Sequence, residues 1–220
     1  MNKPFNQFIE FLNHRISLPL PGVEAQAEMM PEVTGLRYHP LKEPPVHAKK
    51  SAVLCLFTPS DSFQTEILLT LRSDSIKTHK GQICFPGGRC EQHESPHETA
   101  LRETFEEVGI SPETITVLGS LTKLYVPPSN SLIFPVIGFC QQRPSNFQLQ
   151  KEEVQEAFFT ELDLLTNKSN IKTTQIQRDG NIINTPYFNV HPTTKLWGAT
   201  AMILGEVCSL YREFNNSNLL

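Results

Sequence analysis

The stretch Ser95-Pro96-His97-Glu98 constrains this chain more than any other, because it fixes where a helix begins. Ser95 and Glu98 form a capping box, and Pro96 stands at the first helical position, where its missing N–H costs nothing. Gly109 supplies the stop. At about 100° per residue, Glu103, Glu106 and Glu107 share one face, predicted to be exposed. Leu101, Phe105 and Val108 form an apolar stripe opposite, predicted to pack on a sheet. Glu98 with Arg102, and Arg102 with Glu106, are spaced as i,i+4 ion pairs. Three glutamates alone also fit a solvated acidic face. Crowded carboxylates repel, however, and a hard divalent cation with oxygen ligands relieves that repulsion.

The residues ahead of this helix give the acidic face a counterpart. Glu66 to Leu71 is a β-prone run, followed by the basic residues Arg72, Lys77, His79 and Lys80 and by the Gly87-Gly88 pair, which permits a tight turn and close backbone approach. A strand, a cationic loop, a glycine turn and an acidic helix are therefore predicted in that order. A phosphate compound could bridge the loop and the helix.

At 220 residues the chain is long enough for one substantial core. Its 19 basic and 23 acidic residues leave a net charge of −4, which gives no support to nucleic-acid binding. Five cysteines, an odd number with no C-x2-C pair, argue for reduced thiols in a cytoplasmic protein rather than a disulfide framework or zinc site. Cys84 and Cys90, which flank the glycine turn, are read as packing and loop residues. No targeting or membrane segment is expected. Phe5, Phe8, Ile9, Leu12 and Ile16 recur at helical spacing, so Pro4 to Ile16 reads as an amphipathic helix that docks on the domain or makes a homodimer contact. Proline-rich links at 18–22 and 40–45 divide an extension, residues 1–49, from a catalytic domain, residues 50–220.

The remainder is mostly β in pattern. Strands are predicted at 51–57, 66–71, 115–126, 132–139 and 154–159. A hairpin is predicted from 171–177 to 182–190 about Asp179-Gly180, and a closing helix from Trp197 to Tyr211.

Gly88, Glu94, Arg102, Glu103, Glu106, Glu107, Gly109 and Ile110 match the pattern G-x5-E-x7-R-E-U-x-E-E-x-G-U, U being bulky and aliphatic, with Thr104 as the one departure. In this the chain resembles the Nudix hydrolases, which cleave a nucleoside diphosphate linked to another moiety. Residues 68–88 are also similar to the signature LLTxR[SA]-x3-R-x3-G-x3-FPGG of the coenzyme A diphosphatase branch. They match at Leu68, Leu69, Thr70, Arg72, Ser73, Gly81, Phe85, Pro86, Gly87 and Gly88. Lys77 stands where that signature has arginine, keeping the charge but losing the planar fork suited to phosphate.

The resemblance implies an α/β fold, an α/β/α sandwich with a mixed sheet between the box helix and the C-terminal helix. It implies Mg²⁺ or Mn²⁺ held by Glu103, Glu106, Glu107 and the Gly87 carbonyl. It also implies hydrolysis of coenzyme A, or an acyl or oxidised form, to 3',5'-ADP and 4'-phosphopantetheine. Arg102 would orient the glutamates, with Glu94, Gly88 and Gly109 shaping the motif. The proton acceptor stays open among Glu106, Glu103 and the Glu152-Glu153 turn, of which Glu106 and Glu153 are the leading candidates. Arg72, Lys77, Lys80, Tyr125 and Asn130 are the candidate substrate contacts. Alternatives are another diphosphate substrate, such as ADP-ribose, NADH or a nucleoside triphosphate, and a nucleotide-sensing module without catalysis.

Overall fold

The computed structural model describes residues 4–33, 36–37, 44–75, 80–178 and 180–217. In chain order the elements are α1 (Pro4–Arg15), α2 (Gly22–Ala27), β1 (Glu32–Val33), β2 (Leu36–Arg37), β3 (Lys49–Pro59), β4 (Thr65–Arg72), β5 (Ile83–Cys84) and β6 (Gly87–Arg89). They continue with α3 (Pro96–Val108), β7 (Thr116–Ser120), β8 (Leu124–Val126), β9 (Ser131–Phe139), β10 (Val154–Glu161), α4 (Leu162–Thr166), β11 (Ile171–Arg178), β12 (Asn181–Phe188), β13 (Leu196–Trp197) and α5 (Ala199–Ser217).

Side chains alternate between the faces of a strand, and here both faces are apolar. Ala52, Leu54 and Leu56 of β3, Leu68 of β4 and Val136 of β9 pack with Ala100 and Val108 of α3. Cys55, Phe57, Ile67, Leu69 and Ile137, on the opposite face, pack with α1 and α5. The sheet they form runs β10-β4-β3-β9-β7, with β5 on β4, β6 on β3 and β8 on β9. Strands β3 and β9 are parallel, from Lys49 opposite Ser131 to Phe57 opposite Phe139, and the other pairings are antiparallel. A mixed sheet between α3 and α5 is the arrangement expected from the sequence.

The predicted hairpin forms as β11 and β12, but in a separate small sheet ordered β11-β12-β1-β2 with β13 on β12. Of its predicted turn pair, Asp179 lies outside the described residues and Gly180 has φ 79°. The closing helix begins later than predicted and runs longer, because Trp197 pairs with Tyr187 as part of β13 before α5 starts. Helices α2 and α4, of six and five residues, are too short to show a periodicity in the sequence.

The single strand expected over 115–126 is broken into β7 and β8. Glu206 of α5 is fully buried, and its carboxylate accepts from the Thr122 hydroxyl (2.7 Å) and N–H (3.4 Å), the Gly22 N–H (3.1 Å) and Gln26 Nε2 (3.0 Å). A buried carboxylate requires such donors, and turning Thr122 toward it interrupts the ladder with β9. The same network draws α2 against α5, so closely that a Cβ on Gly205 would stand 2.7 Å from the Ala25 carbonyl.

Helix α1 buries Phe5, Phe8, Ile9 and Leu12 against the sheet and α5. Phe8 packs edge-on to Phe57, Tyr211 and Phe214 at centroid distances of 5.6, 5.1 and 5.4 Å. Phe8→Ala should therefore destabilise the protein by about 3–5 kcal/mol, measured by urea unfolding. A loss under about 1 kcal/mol would show that α1 is an appendage to the core.

Candidate active site

Helix α3 starts as its sequence dictates. The Glu98 N–H donates to Ser95 Oγ at 3.2 Å, and the Ser95 N–H donates to Glu98 Oε2 at 2.8 Å. It ends at Gly109, left-handed with φ 76°, where a Cβ would stand 2.7 Å from Gln148 Cβ. Between these ends the helix is rotated from the predicted orientation. Its buried residues are Thr99, Ala100, Thr104, Glu107 and Val108, while Phe105, expected to face the sheet, is 53% exposed. Small side chains at 100 and 104 let the helix lie close to β3 and β6, a position with no room for phenylalanine. Thr104 meets its own polar requirement by donating to the Ala100 carbonyl at 2.7 Å.

That rotation carries one carboxylate inward, against the expectation that all three glutamates face solvent. Glu107 is 1% exposed; its Oε2 accepts from the Gly87 N–H at 3.2 Å, and its Oε1 lies 3.6 Å from Arg72 Nη1. Burial pushes the Glu107 carboxyl up to about 8; Arg72 and the Gly87 N–H oppose the rise, and Glu103 and Glu153 add to it. Glu103 is raised for the same first reason, burial, which Arg102 partly counters. Its carboxylate lies against Gly88, where any Cβ would collide with it. Glu106 remains half exposed.

Arg102 joins these groups. Its Nε and Nη2 donate to the two oxygens of Glu94 at 2.8 and 3.1 Å, and its Nη1 lies 3.0 Å from both Glu103 and Glu106. Glu94 also accepts from Thr99 Oγ1 at 2.7 Å, and these bonds, led by that from Arg102, hold its carboxyl down to about 2. Arg102 is thereby anchored on the side away from the other glutamates.

The segment leading into β10 carries the Glu152-Glu153 pair. The Gln148 and Gln150 N–H groups cap the Val108 and Glu107 carbonyls at 3.0 Å each, the chain turns from Gln150 to Glu153, and the Glu153 carbonyl accepts from the Ser73 N–H at 2.8 Å. Of the Glu152-Glu153 pair, Glu152 is exposed, whereas Glu153 is half-buried and repels the charges of Glu103 and Glu107.

Among the expected substrate contacts, Arg72 lies in this cluster. Lys80 is exposed, and Lys77 and His79 lie outside the described residues. The Tyr125 hydroxyl donates to Asn130 Oδ1 at 3.0 Å. The Asn130 carbonyl accepts from the Lys49 N–H, at the end of β3 whose residues Ser51 to Val53 pair with the glycine turn. Cys84 is held beside Thr70, its sulfur 3.2 Å from Thr70 Oγ1, and burial raises its pKa, which disfavours a nucleophilic thiolate.

Carboxylates at 103, 106, 107 and 153 are the hard oxygen donors that a divalent cation takes. Glycine at 88 leaves the space that Glu103 needs. Among the described residues no three acidic, histidine or cysteine side chains converge into a ready cage. The two arginines instead engage the same oxygens, so the residues fit a cation once those contacts are exchanged.

Comparison with known proteins gives a common name to this geometry. A NUDIX domain model matches residues 47–179. The Nudix hydrolase NudL of Pectobacterium atrosepticum is 33% identical over 173 residues, 74% of this chain and 83% of its own. The peroxisomal coenzyme A diphosphatase of Mus musculus is 38% identical over 52% of this chain and 48% of its own, and the mitochondrial coenzyme A diphosphatase of Homo sapiens is 34% identical over 62% and 59%. The chain spans about half to two thirds of the length of several of the curated relatives it matches. A crystal structure of a Nudix hydrolase from M. Smegmatis aligns with a TM-score of 0.49 at 18% identity, covering 87% of this chain and 94% of that one.

Since the fold raises the Glu107 pKa, it favours the protonated acid. The protein without metal should lose stability as pH rises from about 4.5 to about 8 and change little beyond. Glu107→Gln should remove most of that slope, leaving the part due to Glu103, and, above pH 8 in chelator, stabilise by on the order of 1–3 kcal/mol. Denaturant unfolding across this range checks both; a variant with the parental pH slope would assign the slope to another group.

Proposed function

The chain belongs to the Nudix family, and from that premise we propose that it hydrolyses the diphosphate of coenzyme A, or of an acyl or oxidised derivative, to 3',5'-ADP and 4'-phosphopantetheine or its derivative. The observation that carries this reading is the juxtaposition of the 68–88 segment with the acidic helix. Arg72 ends the strand of that segment 3.6 Å from Glu107, and the glycines of its last residues adjoin Glu103 and Glu107. The relatives named coenzyme A diphosphatases support the same substrate.

Nudix hydrolases generally use a divalent metal ion. Here we propose Mg²⁺ or Mn²⁺, held by Glu103, Glu107 and Glu106 with the Gly87 carbonyl. When bound it would neutralise charge on the diphosphate oxygens and lower the pKa of water. The chain's own residues do the rest. Glu106, the most exposed of the three helix carboxylates, and Glu153, half-buried beside them, are candidates to accept the proton of the attacking water. Arg102 keeps Glu103 and Glu106 aligned through its anchorage on Glu94. Arg72, with Lys77 and Lys80 of the adjoining loop, meets the phosphates, and Tyr125 and Asn130 contact the remainder of the substrate. Binding a cation requires Glu107 to lose its proton, so metal affinity should rise with pH up to about 8.

A small-molecule substrate, with neither nucleic acid nor membrane as partner, fits the nearly balanced charge. No helix among the described residues is long and apolar enough to cross a bilayer. The five free cysteines favour a reducing compartment, which we read as the cytoplasm, although the relatives named coenzyme A diphosphatases are peroxisomal or mitochondrial. The burial of the α1 stripe leaves any homodimer to be formed by another surface.

Glu103→Gln should lower turnover by a factor of about 10² or more, since several kcal/mol of charge stabilisation is lost at about 1.4 kcal/mol per tenfold. Near-parental turnover would remove Glu103 from the metal site. Dephospho-CoA lacks one phosphate, and loss of a charge-assisted contact costs about 1.5–3 kcal/mol. Its kcat/KM should fall about tenfold to a hundredfold below that of CoA. Chromatographic assay of CoA, dephospho-CoA and ADP-ribose under one metal and salt condition tests the substrate, and a clear preference for ADP-ribose would overturn it.

A further inference from the structure

The two arginines of the site are held very differently. Arg102 is fixed from behind by a two-pronged contact with Glu94, whose oxygens are also held by Thr99 and by the Glu91 N–H. It can keep its place whatever Glu103 and Glu106 bind in front. Arg72 has a fixed backbone: its N–H donates to the Gln82 carbonyl, its own carbonyl accepts from the Gly81 N–H, and it pairs with Val154 of β10. Its guanidinium is less committed. The contact with Glu107 is 3.6 Å, longer than a close charge-assisted bond, and the neighbouring partner is the Cys84 thiol, a weak acceptor. Arg72 is also about one-fifth exposed, whereas Glu107 is sealed. One end of this ion pair can leave and the other cannot.

We propose that Arg72 is a positioning residue that competes with the metal for Glu107. It serves as counter-ion to that carboxylate until a divalent cation displaces it, and is then released toward the anionic substrate. The proposal rests on Glu107 being a metal ligand. A buried carboxylate without any cation is costly, so a monovalent partner that can move is a workable arrangement for a site that fills and empties. Exchange also orders the steps: the cation takes the carboxylate, and the freed guanidinium, with its planar fork of donors, matches a phosphate. Binding of metal and of anion are thereby coupled through one side chain.

The consequence is a pair of effects of opposite sign from one substitution. Arg72→Ala should bind Mn²⁺ more tightly, about threefold to tenfold, between the effects of an exposed and a buried charge contact. The Mn²⁺-loaded variant should bind inorganic diphosphate more weakly by a similar factor. Calorimetric titration of the full chain with Mn²⁺, and then with diphosphate, run above about pH 8 so that the proton does not compete for Glu107, reads both without turnover. The metal-induced rise in Tm should also be larger in the variant, because the unliganded state loses its counter-ion. Arg72→Gln, which keeps most of the side chain, should behave alike. Unchanged or weaker Mn²⁺ binding in the folded variants overturns the proposal, as would failure of both to fold, since an exchangeable contact cannot hold the structure together. If the parental protein binds no Mn²⁺, the metal assignment itself falls and takes the proposal with it.

Discussion

Burial of the Glu107 carboxylate is the constraint to which the rest of the site answers. Burial of a carboxyl at 1% exposure favours its neutral form, and here the surroundings oppose that cost only in part, which brings its ionisation to about 8. The backbone N–H of Gly87 points at it, and the strand carrying Arg72 ends beside it. The helix that bears it approaches the sheet through Ala100 and Thr104. Each of these is a packing decision with a chemical result, because desolvation strengthens every electrostatic interaction that the carboxylate makes. A solvent-facing glutamate at the same spacing would interact weakly with cations.

The opposite pole is Glu94 with Arg102. Two donors from Arg102 and one from Thr99 hold the Glu94 carboxylate ionised, so it acts as an anchor rather than a titrating group. One acid is pushed toward the ordinary pH range and another is pushed far below it, within a single helix and the loop that precedes it. Their separate environments, not their residue type, push the two carboxyls in opposite directions.

The amino-terminal extension takes part in the same structure. Phe8 enters the aromatic core, and Gly22 and Gln26 satisfy Glu206, whose other oxygen contacts turn Thr122 out of the ladder. The break so produced leaves β8 to carry Tyr125 toward Asn130. Residues 40–43 of the second link lie outside the described residues; the first, at 18–22, joins helices whose side chains share one core with the sheet.

The residues by themselves determined where α3 begins and ends, the order strand, glycine turn and helix, and the clustering of three carboxylates along that helix. Caps, turns and periodicity act within a few residues, so they are legible locally. Tertiary structure alone decided which face of α3 is buried, because the hydrophobic stripe through Phe105 competes with the close approach offered by Ala100 and Thr104, and only the sheet can settle that competition. It alone chose Glu153 over Glu152 by hanging the 148–150 segment on the last carbonyls of α3. It also drew Thr122 to a glutamate 84 residues away. Each outcome depends on contacts between segments distant in the chain, and such contacts leave no periodicity behind.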